Sequence, residues 1–325
     1  MTTKLFITLG PSTINKNFLS GLDKKYVKLL RINLSHTDLC DLPRLVKYIR
    51  KYSDIDICFD SEGAQIRTSK LKGNIKKLYS NKIIKINKNN NINNNITLVP
   101  HDIYKNLRKD DVLSIDFNSV VVKIIKEDDK FFECKILQGG IIGSNKSISS
   151  KRDIYIPPYT DKDIKAFSIG EKLNIKNYAL SFTSQAGDII TLRNLFKNKI
   201  NVTSKIESKK GLKNLSEILK EADNILIDRG DLSKEMPLHE IPKKQKEIIA
   251  RALKSKTPIY VATNLLESMV TRMEPTRAEV NDVYNTLIDG ATGLVLAAET
   301  AIGKYPEKCI EMIIKISKTV KNVKQ

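Results

Sequence analysis

NVTSKIESKKGLKNLSEILKEADNILIDRGD, residues 201–231, decides the fold of this chain. Two apolar runs of β-forming residues flank a helical segment, and the first run ends in Lys205 and Glu207 while the second ends in Gly230 and Asp231. The strands of such a strand–helix–strand unit are parallel, so their carboxyl ends emerge on one side of the sheet. We therefore expect Lys205, Glu207 and Asp231 to lie close together.

This group of charges indicates a particular chemistry. Two carboxylates beside a lysine suit a divalent cation that is held by few protein ligands and completed by a phosphorylated, anionic substrate. The tight turn at Gly230 stands next to one of the two carboxylates. The stretch thus predicts a divalent-cation site for a phosphorylated compound.

Apolar, β-prone runs recur along the chain, most of them separated by helical patterns. The runs cover residues 5–9, 27–32, 55–59, 178–182, 200–206, 225–228, 259–262 and 294–297. The helical patterns cover residues 161–172, 185–197, 211–220, 242–255 and 276–289. Eight parallel strands alternating with helices form a (β/α)8 TIM barrel, and this α/β fold is our prediction. A doubly wound open sheet is the rival fold, but no GxGxxG motif follows the first strand.

One segment interrupts the alternation. Its helical period disappears, and turn residues separate short β-prone runs at 111–115, 119–126 and 131–137. We predict a small all-β, barrel-like domain at 70–152, inserted after the third strand of a barrel formed by 1–69 and 153–325. An inserted domain at the catalytic face could act as a lid that excludes water. The Asn-rich stretch 87–95 is predicted to be a solvated loop.

Active sites of TIM barrels lie at the carboxyl ends of the strands. Polar residues follow each predicted strand here: Ser12, Arg31, Asn33, Ser35, Asp60, Ser61, Ser181, Thr183, Lys205, Glu207, Gly230, Asp231, Thr263, Glu299 and Thr300. Taken singly, most have an ordinary explanation, since Asp60 and Ser61 could cap a turn and Thr263 could satisfy its own backbone. The joint arrangement has no such explanation and predicts one active-site rim.

Composition narrows the class of ligand and the compartment. The chain has 325 residues, with 56 Lys and Arg against 37 Asp and Glu, and its formal net charge of +19 favours anionic ligands. The basic residues are spread along the chain without aromatic–basic clusters, which argues against nucleic acid. The spacing of its 4 cysteines and 3 histidines fits neither a structural zinc site nor a His-metal site. The sequence shows no signal peptide and no membrane-length apolar run, so we expect a cytoplasmic protein without a membrane partner.

The motifs resemble those of the pyruvate kinase family over nearly the whole chain. FITLGPST begins at Phe6, RINLSH at Arg31 and FDSEGAQIRT at Phe59, and KRDIYIPP, SKIES, DRGDL, ATNLLESM, EPTRAEVNDV and AAETAIGKYP follow in family order with similar spacing. One such fragment would be weak evidence, whereas the series, on a barrel with an insert in the matching place, indicates homology. The resemblance implies a kinase of glycolysis that passes the phosphoryl group of phosphoenolpyruvate to ADP and yields pyruvate and ATP.

The resemblance also implies catalytic roles for three residues at the rim. Lys205 would stabilise negative charge on the phosphoryl group in flight and on the enolate oxygen. Arg31 would contact the phosphate. The substrate carboxylate would be received by the hydroxyl of Thr263 and by the backbone at Gly230 and Asp231.

Cofactor and nucleotide positions follow from the same resemblance. Mg2+ would be held by Glu207 and Asp231. The nucleotide would contact Asn33, His36, Arg67 and Lys151, and K+ would be held by Asn33, Ser35, Asp60 and Ser61. These last four offer only oxygen atoms, which suits a hard monovalent cation.

Several positions depart from the family pattern. Gln65 stands where a Glu accompanies K+ dependence, which leaves that dependence open, and Ser184 stands where the family has an Arg. Asp228 replaces an Ala directly before Arg-Gly-Asp and adds a carboxylate beside a pocket for an anionic substrate, where like charges disfavour each other. The sequence stops after the helix that follows the eighth strand, so we expect the family's carboxyl-terminal regulatory domain to be absent. The sequence leaves undecided whether the protein forms a homo-oligomer.

Two alternatives to the leading hypothesis remain. The first keeps the barrel and Mg2+ but has a different phosphorylated substrate or acceptor, as the changes at Ser184 and Asp228 suggest. The second is a catalytically inactive homologue that binds a ligand or regulates another protein, as the number of departures suggests.

Overall fold

The computed structural model describes residues 3–63, 65–71, 73, 75–88, 96–116, 118–152, 154 and 156–323. It divides the chain into two compact units, the first formed by Met1–Gly63 with Asp161–Gln325 and the second by Ala64–Thr160. Most of the predicted Asn-rich loop, residues 89–95, lies outside the described residues.

The described residues form both parallel and antiparallel strands. In chain order these are β1 (Lys4–Thr8), β2 (Val27–Asn33), β3 (Asp56–Asp60), β4 (Ile66–Thr68), β5 (Ile75–Leu78), β6 (Ile83–Asn87), β7 (Ile96–Val99), β8 (Val112–Ile115), β9 (Val120–Glu127), β10 (Phe131–Gln138), β11 (Gly140–Gly143), β12 (Ser147–Ser150), β13 (Asn177–Leu180), β14 (Asn201–Ile206), β15 (Asn224–Asp228), β16 (Ile259–Ala262) and β17 (Gly293–Leu296).

The α-helices of the described residues follow the same order. They are α1 (Lys16–Ser20), α2 (Leu42–Tyr52), α3 (Asp161–Lys172), α4 (Ala186–Asn194), α5 (Lys209–Lys213), α6 (Leu215–Glu221), α7 (Arg229–Glu235), α8 (Ile241–Lys254), α9 (Arg277–Ile288), α10 (Ala298–Ala301) and α11 (Pro306–Val323). Short 3-10 turns cover Leu34–His36, His101–Lys105, Leu238–Glu240 and Glu267–Val270. None of these helices is both long and apolar enough to cross a membrane.

The first unit contains a closed parallel barrel in which β1, β2, β3 and β13 to β17 follow one another, and β17 pairs again with β1. The predicted TIM barrel is thus confirmed. Its strands are apolar on both faces because one face meets the barrel interior and the other meets the surrounding helices. Inside the barrel the rings of Phe6 and Tyr260 stack with their centroids 4.0 Å apart. All eight strands run in one direction, so their carboxyl ends form one rim.

The second unit is an all-β body with its own core. β10, β6, β7, β4, β12, β8 and β9 close a small barrel, and β5 pairs with β11 in a separate two-stranded sheet. Its interior is built from the alternating apolar residues of the strands, among them Val122, Ile124 and Phe132, each fully buried.

One predicted helix differs in the structure. The pattern at 211–220 predicts a continuous helix, but α5 and α6 are separated at Asn214, whose backbone leaves the helical region with φ −94° and ψ 12°. The amide nitrogen of the Asn214 side chain donates a hydrogen bond to the carbonyl oxygen of Ser184, at 2.8 Å. Periodicity cannot reveal this contact, because Ser184 lies 30 residues earlier in the chain.

Candidate active site

The ammonium group of Lys205, near the end of β14, lies among acidic and hydroxyl oxygens. Its Nζ is 2.9 Å from Glu207 Oε1, 3.5 Å from Asp60 Oδ1 and 3.9 Å from Asp228 Oδ2, and it donates a hydrogen bond to Ser181 Oγ at 3.0 Å. Burial acts to lower the pKa of Lys205, but the three carboxylates outweigh it and raise that pKa above its ordinary value. The side chain therefore stays a cation at neutral pH.

Three carboxylates stand close enough to share a cation. One oxygen each of Glu207, Asp228 and Asp231 lies within 4.8 Å of the others. Glu207 Oε2 accepts a hydrogen bond from the N–H of Phe182 at 2.6 Å, and the buried Oε1 forms the ion pair with Lys205. Burial raises the pKa of Glu207 above its usual value; Lys205 opposes this effect, and Asp228 and Asp231 add to it. A compact set of hard oxygen donors of this kind fits a divalent cation such as Mg2+.

Arg31, on β2, carries a second buried positive charge. Its side chain is 6% exposed, and its Nε lies 3.0 Å from Asp60 Oδ2. Its buried Nη1 has no hydrogen-bond partner among the residues that the structure describes. A buried donor without a partner is costly, so this nitrogen suits an anionic ligand. Asp60 thus pairs with both Arg31 and Lys205.

The backbone is strained at two strand ends of the rim. Phe182, beyond β13, has φ +53°, while Thr263 and Asn264, beyond β16, have φ +75° and +54°. Non-glycine residues rarely adopt this left-handed region, and a β-branched threonine does so at a cost that surrounding contacts must offset. Arg229 supplies such contacts, because its Nε and Nη2 donate to the carbonyl oxygen of Thr263 at 3.0 and 2.5 Å.

Asp228, the last residue of β15, caps helix α7. Its Oδ1 accepts hydrogen bonds from Thr263 Oγ1 at 2.6 Å, from the N–H of Gly230 at 3.2 Å and from the N–H of Asp231 at 3.4 Å. Burial acts to raise the pKa of Asp228, but the charge of Lys205 and the hydroxyl of Thr263 outweigh it and hold that pKa below its usual range. Asp228 is therefore a carboxylate at neutral pH.

The predicted K+ ligands lie at or just beyond the ends of the neighbouring strands β2 and β3, but their described contacts are with other groups. Asn33 stands opposite Asp60 in the register of β2 and β3, and its Oδ1 accepts from the N–H of Ser35 at 3.0 Å. Ser61 Oγ accepts from the N–H of Ser181 at 2.9 Å. The carboxylate of Asp60 is already paired with two side-chain cations, which leaves it less charge to offer to K+.

The predicted nucleotide contacts are divided between the two units. Asn33 and His36 belong to the first unit, while Arg67 and Lys151 belong to the second. The Arg67 guanidinium donates to the carbonyl oxygen of Asn145 at 3.2 Å. The nucleotide site stays a prediction.

Sequence reasoning missed several contributors to the site. It placed Ser181 at the rim without a role, assigned Asp60 to K+ alone and gave Arg229 none. The only signal for Arg229 was its place inside the DRGDL motif. Glu299, which the sequence also places at the rim, has a structural contact instead. Its two carboxylate oxygens accept hydrogen bonds from the backbone N–H groups of Leu266 and Ala297 at 3.2 and 2.8 Å.

The chain is similar in sequence and structure to known proteins. Residues 1–310 match the family model described as "Pyruvate kinase, barrel domain". The chain is 32% identical to the pyruvate kinase of Thermotoga maritima, over 97% of this chain and 70% of that protein. It is 30% identical to the pyruvate kinase of Thermococcus litoralis, over 99% of this chain and 70% of that protein. Among solved structures it resembles a pyruvate kinase from Cryptosporidium parvum with a TM-score of 0.85 and 28% identity, covering 99% of this chain and 69% of that one.

Proposed function

The chain belongs to the pyruvate kinase family, and from this premise we propose that it transfers the phosphoryl group of phosphoenolpyruvate to ADP, with pyruvate and ATP as products. The observation that carries the proposal is the buried Lys205 ammonium, 2.9 Å from Glu207 and beside the three clustered carboxylates. A fixed cation and a cation-binding carboxylate group in a water-poor site are what phosphoryl transfer requires, because this chemistry depends on positioning and electrostatics.

Each residue then has a defined task. Lys205 holds its positive charge where negative charge develops on the phosphoryl oxygens and on the enolate oxygen. Arg31 offers its unpaired Nη1 to the phosphate. Asp60 keeps both cations at fixed positions through its two carboxylate oxygens.

The carboxylates supply the metal site of this proposal. Glu207 and Asp231 would hold Mg2+, with Asp228 beside them. Mg2+ bound there would neutralise charge on the phosphoryl oxygens and orient the substrate. K+ would be held by Asn33, Ser35, Asp60 and Ser61, and ADP would contact Asn33 and His36.

A coupled assay of pyruvate formation from phosphoenolpyruvate and ADP tests the proposal, with Mg2+ present and with or without K+. We expect Lys205→Met to lower kcat by about a hundredfold or more, because an electrostatic contact made in the transition state is lost. The matched control is Lys246→Met, since Lys246 forms an exposed ion pair with Asp289 and should keep full turnover.

Undiminished turnover by Lys205→Met would contradict the proposal. An absence of turnover in folded wild-type protein that binds Mg2+ would instead favour a different phosphorylated substrate or a ligand-binding role.

A further inference from the structure

The carboxylate of Asp228 occupies a cradle of three hydrogen-bond donors. These donors are the hydroxyl of Thr263 and the N–H groups of Gly230 and Asp231, and all three point at the single oxygen Oδ1, from 2.6, 3.2 and 3.4 Å. The side chain is only 13% exposed. The cradle is therefore filled by a carboxylate that belongs to the chain itself.

This inference rests on the proposed function, in which phosphoenolpyruvate is the substrate, and the family resemblance implies that the same three donors receive the carboxylate of that substrate. A threonine hydroxyl donates one hydrogen bond and each N–H donates one, so the cradle cannot serve two carboxylates at once. A ligand carboxylate on these donors would also lie against the carboxylate of Asp228, and like charges repel each other in a buried site. Asp228 and a carboxylate-bearing ligand must compete.

We propose that Asp228 is a specificity-determining residue that competes, from within the chain, with the ligand's carboxylate for the donors of Thr263, Gly230 and Asp231. It lowers the affinity of the site for phosphoenolpyruvate and leaves affinity for phosphate esters without a carboxylate much less affected. The observed affinity is the intrinsic affinity multiplied by the fraction of molecules in which Asp228 has left the cradle.

Contacts other than those of the Asp228 side chain also hold the backbone around the cradle. Residue 228 pairs with Ala262 in the parallel register of β15 and β16, which fixes its main chain. The N–H of Gly230 lies 3.3 Å from Thr263 Oγ1, and Arg229 holds the carbonyl oxygen of Thr263. Asp228→Ala should therefore empty the cradle and leave its donors in place.

The test compares two ligands that differ only in the carboxylate: phosphoenolpyruvate and vinyl phosphate. Their dissociation constants are measured by isothermal titration calorimetry at saturating Mg2+. We expect Asp228→Ala to tighten phosphoenolpyruvate at least about tenfold, and vinyl phosphate by much less. Asp228→Asn removes the charge but keeps an amide oxygen in the cradle, so it should tighten phosphoenolpyruvate only a few-fold.

The control variant is Asp289→Ala, which removes an aspartate at an exposed ion pair with Lys246 and should change neither constant. If Asp228→Ala does not fold, Asp228→Ser keeps a capping hydroxyl, and its shorter side chain should still favour phosphoenolpyruvate selectively.

Equal tightening of both ligands, equal effects of Ala and Asn, or no tightening at all would overturn the inference. Binding decides this question without turnover. The proposed function fails separately if neither wild type nor Asp228→Ala forms pyruvate.

Discussion

Arg229 positions the backbone of the rim although it is not one of the clustered carboxylate residues that would hold Mg2+. Its fork holds the carbonyl oxygen of Thr263, while Nη1 binds Asp282 at 2.6 Å. Lysine cannot reproduce this planar, multidentate contact. We expect Arg229→Lys to lower the free energy of unfolding by about 1–3 kcal/mol and kcat/KM by roughly ten- to a hundredfold. Urea titration and steady-state kinetics measure the two effects.

Arg251→Lys provides the matched comparison. Arg251 is exposed and donates to Ser216 Oγ at 2.7 Å, so its replacement should alter neither quantity. If Arg229→Lys behaves in the same way, Arg229 does not position Thr263.

Sequence alone predicted which residues meet at the rim but not how each is used. Lys205, Glu207 and Asp231 could be expected to converge because parallel strands and their polar ends fix where the side chains emerge. The added charge at Asp228 was also visible. Its place on the donors of Thr263 and the following turn was not, because that contact depends on side-chain rotamers and on the start of α7, which a residue pattern does not specify.

At the scale of elements, a partly buried ion pair in the second unit joins Asp111, directly before β8, to Arg152, beyond β12. Asp111 accepts from Nε and Nη2 of Arg152 at 2.6 and 2.8 Å and from the N–H of Arg108 at 2.9 Å. Burial acts to raise the pKa of Asp111, but these contacts outweigh it and hold that pKa below its usual range. The resulting stabilisation is complete above about pH 4 and is lost as pH falls through the lowered pKa.

Asp111→Asn should therefore destabilise β8 and β9 by about 1–3 kcal/mol at pH 7, and the difference from wild type should shrink toward pH 2. Hydrogen exchange of the backbone N–H groups in these strands measures it. Asp102→Asn is the control, because the exposed pair of Asp102 with Lys105 should contribute nothing measurable. A difference that grows on acidification would contradict the prediction.

The bounds of a helix agree with the sequence prediction where the apolar periodicity alone determines them. α3 begins and ends where its apolar period does, at Asp161 and Lys172. The break between α5 and α6 could not be predicted, because it depends on a hydrogen bond from Asn214 to a residue 30 positions earlier in the chain.

At the scale of the whole molecule, Gly293 stands where the first unit's barrel closes. It pairs with Lys4 in β1 and with Tyr260 in β16. A Cβ at this position would overlap the carbonyl oxygen of Lys4 and lie 2.8 Å from Tyr260 Cε1. We expect Gly293→Ala to lower the free energy of unfolding by about 1–3 kcal/mol or more, because a barrel strand must shift. Thermal and urea unfolding measure the loss.

Gly187→Ala is the control for this change. Gly187 lies in α4, where a Cβ would meet nothing closer than 3.7 Å. Alanine there should be neutral or slightly stabilising because it favours the helix. Equal effects at the two positions would refute a special role for Gly293.

The barrel itself was the most predictable feature of the molecule. Eight apolar runs, such as those around Phe6 and Tyr260, must be buried on both faces, and few architectures other than a barrel ringed by helices allow this. The pairing of β6 with β7 in parallel inside the otherwise antiparallel small barrel could not be predicted, because strands of five and four residues carry little register information.

The pairing of β1 with β17 also has a consequence for synthesis on the ribosome. Translation at 5–20 residues per second separates the appearance of Lys4 from that of Gly293 by about 15 to 60 s. For that time the nascent first strand has an unpaired edge, while Ala64–Thr160 emerges complete with its own core. We expect the yield of the protein in cells to depend more on chaperones that shield this edge than on the stability of the finished barrel.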